Sequence, residues 1–260
     1  MDSALPREAG QLLGDARRVV VFTGAGISAE SGVPTFRDDL TGLWARFDPQ
    51  RLATAEAFHA DPDLVWGWYE WRRARVSRAE PNAGHRAISI IQNRAPECSV
   101  VTQNVDDLHE RAGSHKVIHL HGSLFAPRCV AAAHPATFAP VSGNATPDEG
   151  RRVPPPLCAT CAALVRPGVV WFGEALPEAA LTAAVEAAAA CDVLLTVGTS
   201  GVVYPAAEIP GVAARAGATV IQVNPEPTPL DRVAAINLRG AAAHVLPALV
   251  ASAWQETVET

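Results

Sequence analysis

Three groups of residues in this chain have the types and spacing that chemistry asks for. Gly24-Ala25-Gly26-Ile27-Ser28-Ala29 follows an apolar run and fits G-x-G-x-x-G/A, in which glycines let a backbone approach a pyrophosphate. A tight strand-to-helix turn needs the same glycines. A hydride-transfer domain would continue through a helix and a second strand to an acid about 20 residues on. Here Pro34 soon stops the helix and Thr35-Phe36-Arg37 follows, so that reading loses ground. Gln103-Asn104-Val-Asp106-Asp107 offers amides and carboxylates able to orient hydroxyl groups, and fits equally an Asx turn bonded to its own backbone. The imidazole of His121 titrates near neutrality and can accept and return a proton. His119, on the same strand face, competes for that role, and an isolated histidine in an apolar strand is also a common core residue.

Two further patterns are more local. Cys158-Ala-Thr-Cys161 is a C-x-x-C half-site, and Cys129 lies upstream at the distance of a zinc ribbon's first half. Tyr69 and Arg72 stand at i and i+3, so on a helix they share one face. Arg72 can grip a carboxylate with two charge-assisted bonds while the Tyr69 hydroxyl donates a third. An amphipathic helix with an aromatic stripe and solvated arginines explains the same letters.

The elements that must position these residues follow from the apolar runs. Arg17–Gly24, Cys98–Thr102, Val117–His121, Asp192–Gly198 and Ala218–Asn224 are short β-branched stretches ending in glycine or polar residues, as buried parallel strands do. Helical stretches at Gly84–Arg94, Pro177–Ala190 and Ala206–Ala216 alternate with them, which predicts a doubly wound α/β sheet with ligands at the strands' carboxyl ends. Two segments interrupt the alternation: residues 36–83, aromatic-rich and helical, and 126–167, rich in Pro and Gly and carrying three of the five cysteines. The remaining pieces, 1–35, 84–125 and 168–260, form the sheet domain.

The 260 residues are 48% apolar and 18% charged, an ordinary globular composition with a net charge of −6 and no run of like charges. A nucleic-acid or anionic-membrane partner gets no electrostatic support. The first ten residues lack an apolar signal core and no stretch is apolar enough to span a bilayer, so a cytoplasmic protein is expected. An odd number of cysteines in a reducing compartment points to thiols or metal ligands rather than disulfides.

Gly24-Ala-Gly-Ile-Ser-Ala-Glu-Ser-Gly-Val-Pro-Thr-Phe-Arg37 resembles the NAD-binding signature of the sirtuins, NAD-dependent protein lysine deacylases. Thr102–His109, His121-Gly-Ser, Val169-Val-Trp-Phe-Gly-Glu174 and Gly198-Thr-Ser200 are similar to further blocks of that family in the same order, from about Val19 to Val250. The resemblance implies a Rossmann-like domain in which NAD and acyl-lysine meet beneath a small domain made of a helical and a zinc-ribbon module. The acyl amide oxygen would attack the nicotinamide ribose as nicotinamide leaves, with His121 as the base that activates a ribose hydroxyl. Asn104 and Asp106 would orient that ribose and the carboxamide, and Gln103 would touch the same ribose. Gly24, Ala25, Gly26, Ser28, Ala29, Glu30, Pro34, Thr35, Phe36 and Arg37 would line the cofactor. Gly198, Thr199, Ser200, Asn224, Pro225 and Glu226 would hold its phosphates and adenosine ribose, with Ala242 near the adenine.

The segment holding Val170, Phe172, Gly173 and Glu174 reads as a buried strand or as an edge for an extended peptide, and the resemblance implies the second. Tyr69-x-x-Arg72, Gly201-Val-Val-Tyr204 and Pro81-Asn-Ala-Gly-His85 resemble the sirtuin branch that prefers succinyl and malonyl groups over acetyl. The family's usual fourth zinc cysteine is missing, since Ala132 and Ala133 stand in its place and His134 follows. Either a Cys₃His structural zinc site or a decayed site packed as a loop results. An NAD glycohydrolase or ADP-ribosyltransferase, and a non-enzymatic NAD- or ADP-ribose-sensing module, are the rival readings.

Overall fold

The computed structural model of the chain describes residues 4–33, 48–132, 134–136, 151–255 and 258. The apolar runs become strands β1 (Arg18–Thr23), β2 (Glu97–Thr102), β3 (Ile118–His119), β6 (Val193–Val197), β7 (Thr219–Val223) and β8 (Ile236–Leu238) of one sheet, ordered β3-β2-β1-β6-β7-β8. Every neighbouring pair is parallel. Such a sheet is buried on both faces, which is why its strands read as continuous rather than alternating apolar runs. In β1, Val19 and Val21 join a core with Leu13 of α1 (Ala4–Asp15), Ile88 and Ile91 of α5 (Ala83–Arg94) and Leu246 and Leu249 of α9 (Ala242–Trp254). Val20 and Phe22 point the other way, toward Ala184 and Ala188 of α7 (Glu178–Ala190) and Ile209 and Ala213 of α8 (Ile209–Arg215). The result is a Rossmann-like doubly wound fold.

The sequence reading did not single out β8, α1 or α9, and it made α8 too long: Ala206–Glu208 is a 3-10 turn that leads into the helix. β3 is also shorter than its apolar run, because its neighbour β2 ends at Thr102 and only two residues can pair with it.

Helices α2 (Pro49–Leu52), α3 (Ala55–Ala60) and α4 (Pro62–Arg78) form the helical insertion, and α6 (Leu108–Arg111) is a single turn after β2. Pro62 starts α4 with Asp61 as its cap, the side chain accepting from the Leu64 N–H. Helix α4 buries apolar residues all round, as a helix covered on several sides must. Trp68, Tyr69 and Trp71 pack with Leu52, Phe58, Leu124, Val169 and Trp171, whereas Trp66 packs with Cys129, Val153, Cys158 and Val165. Those last residues belong to the second insertion, where β4 (Arg128–Cys129) and β5 (Val165–Arg166) form an antiparallel pair. Gly67 is the residue that lets the insertions meet: a Cβ there would stand 2.1 Å from the Arg151 carbonyl oxygen.

Candidate active site

The strand order reverses between β1 and β6, and the loops leaving these two strands touch at that point. The Gly24 N–H donates to the Val197 carbonyl (3.0 Å) and the Gly26 N–H to the Gly198 carbonyl (2.8 Å). A Cβ on Gly26 would lie 2.7 Å from the Gly198 oxygen, and one on Gly24 2.8 Å from the Thr199 Cα. The glycines therefore answer first to loop-on-loop contact, which builds the crevice where ligands of such folds bind.

Ser28 follows this turn and gathers residues from two other elements, the loop after β2 and helix α5. Its hydroxyl donates to Asp106 Oδ2 (3.0 Å) and accepts from Asn104 Nδ2 (3.1 Å), and all three residues are buried. His85 Nε2 lies 3.4 Å from the same hydroxyl, while its Nδ1 accepts from the Asn82 N–H, so Nε2 is the nitrogen left to carry a proton. Burial, helped by Arg86, pushes the His85 pKa down to about 3 and keeps the ring neutral. His109, also driven down to about 3 by burial and by His85, donates from Nε2 to Thr23 Oγ1 (2.9 Å). Thr23 in turn donates to Thr102, which accepts from the Asn104 N–H. Burial raises the Asp106 pKa, and hydrogen bonds from Leu108 and Ser28 work against that rise. His85 and His109 each close a sequence block, Pro81–His85 and Thr102–His109, but sequence reasoning gave them no supporting role, because only the fold sets them behind Ser28 and Thr23.

The two competing histidines separate on their hydrogen bonds. His119 is engaged at both nitrogens, with the Asn104 carbonyl (3.2 Å) and Glu110 (2.7 Å), and although burial opposes it, the Glu110 carboxylate raises its pKa. His121 donates from Nδ1 to the Gln103 carbonyl (2.9 Å), and among the described residues its Nε2 has no partner. Burial lowers its pKa, so the imidazole is neutral at pH 7 with a lone pair on Nε2.

Farther along the crevice, Gln103 Nε2 donates to Thr199 Oγ1 (2.8 Å), and Asn224 Nδ2 donates to the Thr199 carbonyl (2.9 Å). Ser200 is half-buried beside them, Ala25 is half-buried on the opposite loop, and Ala29, Pro225 and Glu226 are exposed on the rim. Ala242 opens α9, and Glu30 accepts from the Ala243 N–H (2.8 Å), so that carboxylate caps the helix. Pro34, Thr35, Phe36 and Arg37 lie outside the described residues.

The segment Val169–Glu174 is not a strand of the sheet; single bridges join it to Gly122 and Thr54. The Val170 N–H donates to the His121 carbonyl (2.8 Å) and the Phe172 N–H to the Ala53 carbonyl (2.9 Å). The Trp171 N–H is taken by Glu174 (2.8 Å), so in this run the N–H groups of Val169 and Gly173 have no acceptor among the described residues. The Glu174 carboxylate also accepts from Arg166 and Arg128 of the β4–β5 pair, and these arginines hold its pKa down against burial. Phe172 in this segment, and Val202, Val203 and Tyr204 in the loop that follows β6, are exposed.

Tyr69 and Arg72 lie on one face of α4. The Arg72 guanidinium carbon is 5.8 Å from the Tyr69 ring centroid and 5.1 Å from that of Trp68. Burial lowers the Arg72 pKa, and the neighbouring Tyr69 and Asp106 oppose that drop. In the ribbon, Cys129, His134, Cys158 and Cys161 bring one donor atom each to within 4.8 Å of one another. The Cys129 and Cys161 sulfurs are 3.4 Å apart, too far for a disulfide and close to the edge of a tetrahedron of thiolates about 2.3 Å from a zinc ion. His134 Nδ1 bonds the Pro135 carbonyl (2.9 Å), which leaves Nε2 as the ligand atom.

A parallel sheet in this order, with glycine loops and a polar cluster at its switch point, defines an NAD-type dinucleotide-binding domain. The Sir2 family model matches residues 24–205. NAD-dependent protein deacylase 1 of Pseudomonas aeruginosa is 59% identical over 244 residues, 94% of this chain and 97% of that protein. The crystal structure of a Sir2 homolog–NAD complex superposes with a TM-score of 0.86 at 42% identity, covering 98% of this chain and 94% of that one. A Sir2–p53 peptide–NAD+ complex superposes at 0.77 with 32% identity, covering 90% and 92%. The chain belongs to the Sir2 family.

Proposed function

We propose that this chain, an NAD-dependent protein deacylase, acts preferentially on protein lysines carrying succinyl or malonyl groups. The observation that carries the acyl preference is the pairing of the buried Tyr69 phenol and the half-buried Arg72 on one face of α4, the guanidinium carbon 5.8 Å from the phenol ring centroid. A guanidinium and a phenol side by side can give an acidic acyl terminus two charge-assisted bonds and a third from the hydroxyl, whereas an acetyl group has no carboxylate to receive them.

NAD supplies an electrophilic ribose carbon and a nicotinamide leaving group. Ser28, Asn104 and Asp106 orient the ribose hydroxyls, and His121 Nε2 takes a proton from one of them once the acyl oxygen has attacked. One water is consumed as the amine is released, and the products are nicotinamide, O-acyl-ADP-ribose and free lysine. Gln103, Gly198, Thr199, Ser200, Asn224, Pro225 and Glu226 line the cofactor's phosphate and adenosine end, with Ala25, Ala29 and Ala242 at its walls. Glu30 acts there through the start of α9. The substrate peptide bonds to the Gly173 N–H and to the carbonyls of Val170 and Phe172, main-chain contacts that tolerate many sequences. The Glu174 carboxylate shapes this segment through its arginine clamp.

Cys129, Cys158, Cys161 and His134 hold a structural zinc, a reading supported by their converging donor atoms. Residues 36–83 and 126–167 act as one small domain over the sheet domain, a division supported by the shared Trp66 core. Protein substrates fit the peptide complex of a structural neighbour. Five free cysteines suit the reducing cytoplasm, and among the described residues no helix is long and apolar enough to cross a membrane. Mass spectrometry of acetyl-, malonyl- and succinyl-lysine peptides incubated with NAD tests turnover and preference together. Higher kcat/KM for the acidic groups is expected; a preference for acetyl would remove the acidic-pocket reading and leave the deacylase intact.

A further inference from the structure

Trp171 lies in the segment that runs beneath the substrate site, yet its side chain turns away from solvent into the helical insertion. Its indole Nε1 donates to Tyr69 Oη at 3.1 Å, and both residues are almost fully buried. An indole N–H is only ever a donor, whereas a phenol can donate or accept. The bond therefore has one polarity: Tyr69 accepts. Its own O–H has no acceptor among the described residues, and burial pushes its pKa up to about 12, so the proton stays on the oxygen at any working pH.

We propose that Trp171 is a positioning residue for acyl selectivity, its N–H holding the Tyr69 oxygen as acceptor so that the phenol proton is presented to the substrate's acidic terminus. This rests on the acidic-acyl pocket proposed above and adds the element that orients it. A lone phenol O–H can swing between two in-plane orientations; a donor fixed on one side of the oxygen removes one of them.

Trp171 is held at its ring and at its backbone. The Arg166 guanidinium carbon lies 3.4 Å from its ring centroid, and the Phe58 ring stands 5.4 Å away. The Trp171 backbone N–H is bound by Glu174, and Glu174 by Arg166 and Arg128. Arg166 further donates to the Val169 carbonyl (3.1 Å). Arg128 directly precedes Cys129 in β4, so a contiguous path runs from the candidate metal cluster through Glu174 and Trp171 to the Tyr69 hydroxyl. A tryptophan serving only as packing would need the ring but not the N–H, and phenylalanine would replace it.

The test is steady-state kinetics on the full-length enzyme with succinyl- and acetyl-lysine peptides, comparing wild type, Trp171→Phe, Tyr69→Phe and the double variant. Trp171→Phe is expected to raise KM for the succinyl peptide by about three- to tenfold, the usual weight of one buried hydrogen bond, with kcat little changed. KM for the acetyl peptide stays within about twofold. In the Tyr69→Phe background the tryptophan substitution adds nothing, because the oxygen it oriented is gone. Equal losses on both peptides, or an undiminished effect in the Tyr69→Phe background, would overturn the proposal. If Trp171→Phe fails to fold, site-specific replacement by benzothienylalanine keeps the ring shape and deletes the N–H, and the same two criteria apply. The outcomes separate from those of the parent reading: a wild type that prefers acetyl sinks the acidic pocket itself, whereas a succinyl-preferring wild type indifferent to Trp171 sinks only this role.

Discussion

The crevice at the head of the sheet and the pocket in the helical insertion are both buried polar sites, and they are built in opposite ways. In the crevice, Ser28, Asn104 and Asp106 sit in loops that leave adjacent parallel strands, so strand register alone brings them together. Two buried neutral histidines behind them complete a hydrogen-bonded web. In the pocket, Tyr69 is held by Trp171, 102 positions away in the chain, and the surroundings are aromatic rings and arginines rather than a ladder of backbone bonds. The cofactor crevice thus rests on the parallel sheet, while the proposed acyl pocket rests on packing between α4 and the Val169–Glu174 segment. Damage to each should show differently.

The largest effect is expected on the crevice side. His121→Ala should lower deacylation by about 10²- to 10⁴-fold, the range of one general base, while isothermal titration shows NAD binding nearly unchanged. Turnover close to wild type would remove His121 from the mechanism. Asp106→Asn should slow nicotinamide exchange and deacylation together, by about tenfold or more, because both share the step that needs an oriented ribose. Exchange that survives while deacylation is lost would break that assignment.

On the pocket side, Arg72→Met should cost succinyl- and malonyl-lysine about 10- to 100-fold in kcat/KM through loss of charge-assisted bonds and leave acetyl-lysine close to wild type. A uniform loss would mean that the pocket and the crevice are one unit.

Stability gives the smaller effects. His85 and His109 are held neutral with pKa values near about 3, whereas in the unfolded chain they titrate near about 6.5. Below that value the unfolded state binds protons that the fold refuses, so their contribution is complete above about pH 6.5 and is lost as pH falls toward about 3. Melting temperatures measured from pH 7 to pH 4 should fall steadily, and the fall should be shallower in a His109→Gln variant. Cys158→Ser should reduce bound zinc below one per chain and lower the melting temperature, by about 2–4 °C for each kcal/mol lost. A metal-free wild type of normal stability would mark the cluster as ordinary packing.

Much of the crevice was legible because its residues lie in short motifs at the ends of apolar runs: a strand followed by Gly24-Ala-Gly26, or by Gln103-Asn104, announces its own position. Local sequence also marked the region of α4 as helical and aromatic-rich, whereas its burial on several sides was set by the packed fold. β8 and α9 escaped notice, the first because three residues carry too little pattern, the second because an alanine-rich helix has little periodicity. Only the tertiary structure decided which histidine has a nitrogen to spare, since His119 and His121 differ in their hydrogen-bond partners and not in their neighbours along the chain. It also decided that His134 reaches the three cysteines and that Glu174 turns into an arginine clamp. The physical reason is common to these cases: strand and turn preferences are local, whereas the direction of a buried hydrogen bond is set by whichever distant donor or acceptor the packed fold leaves beside it.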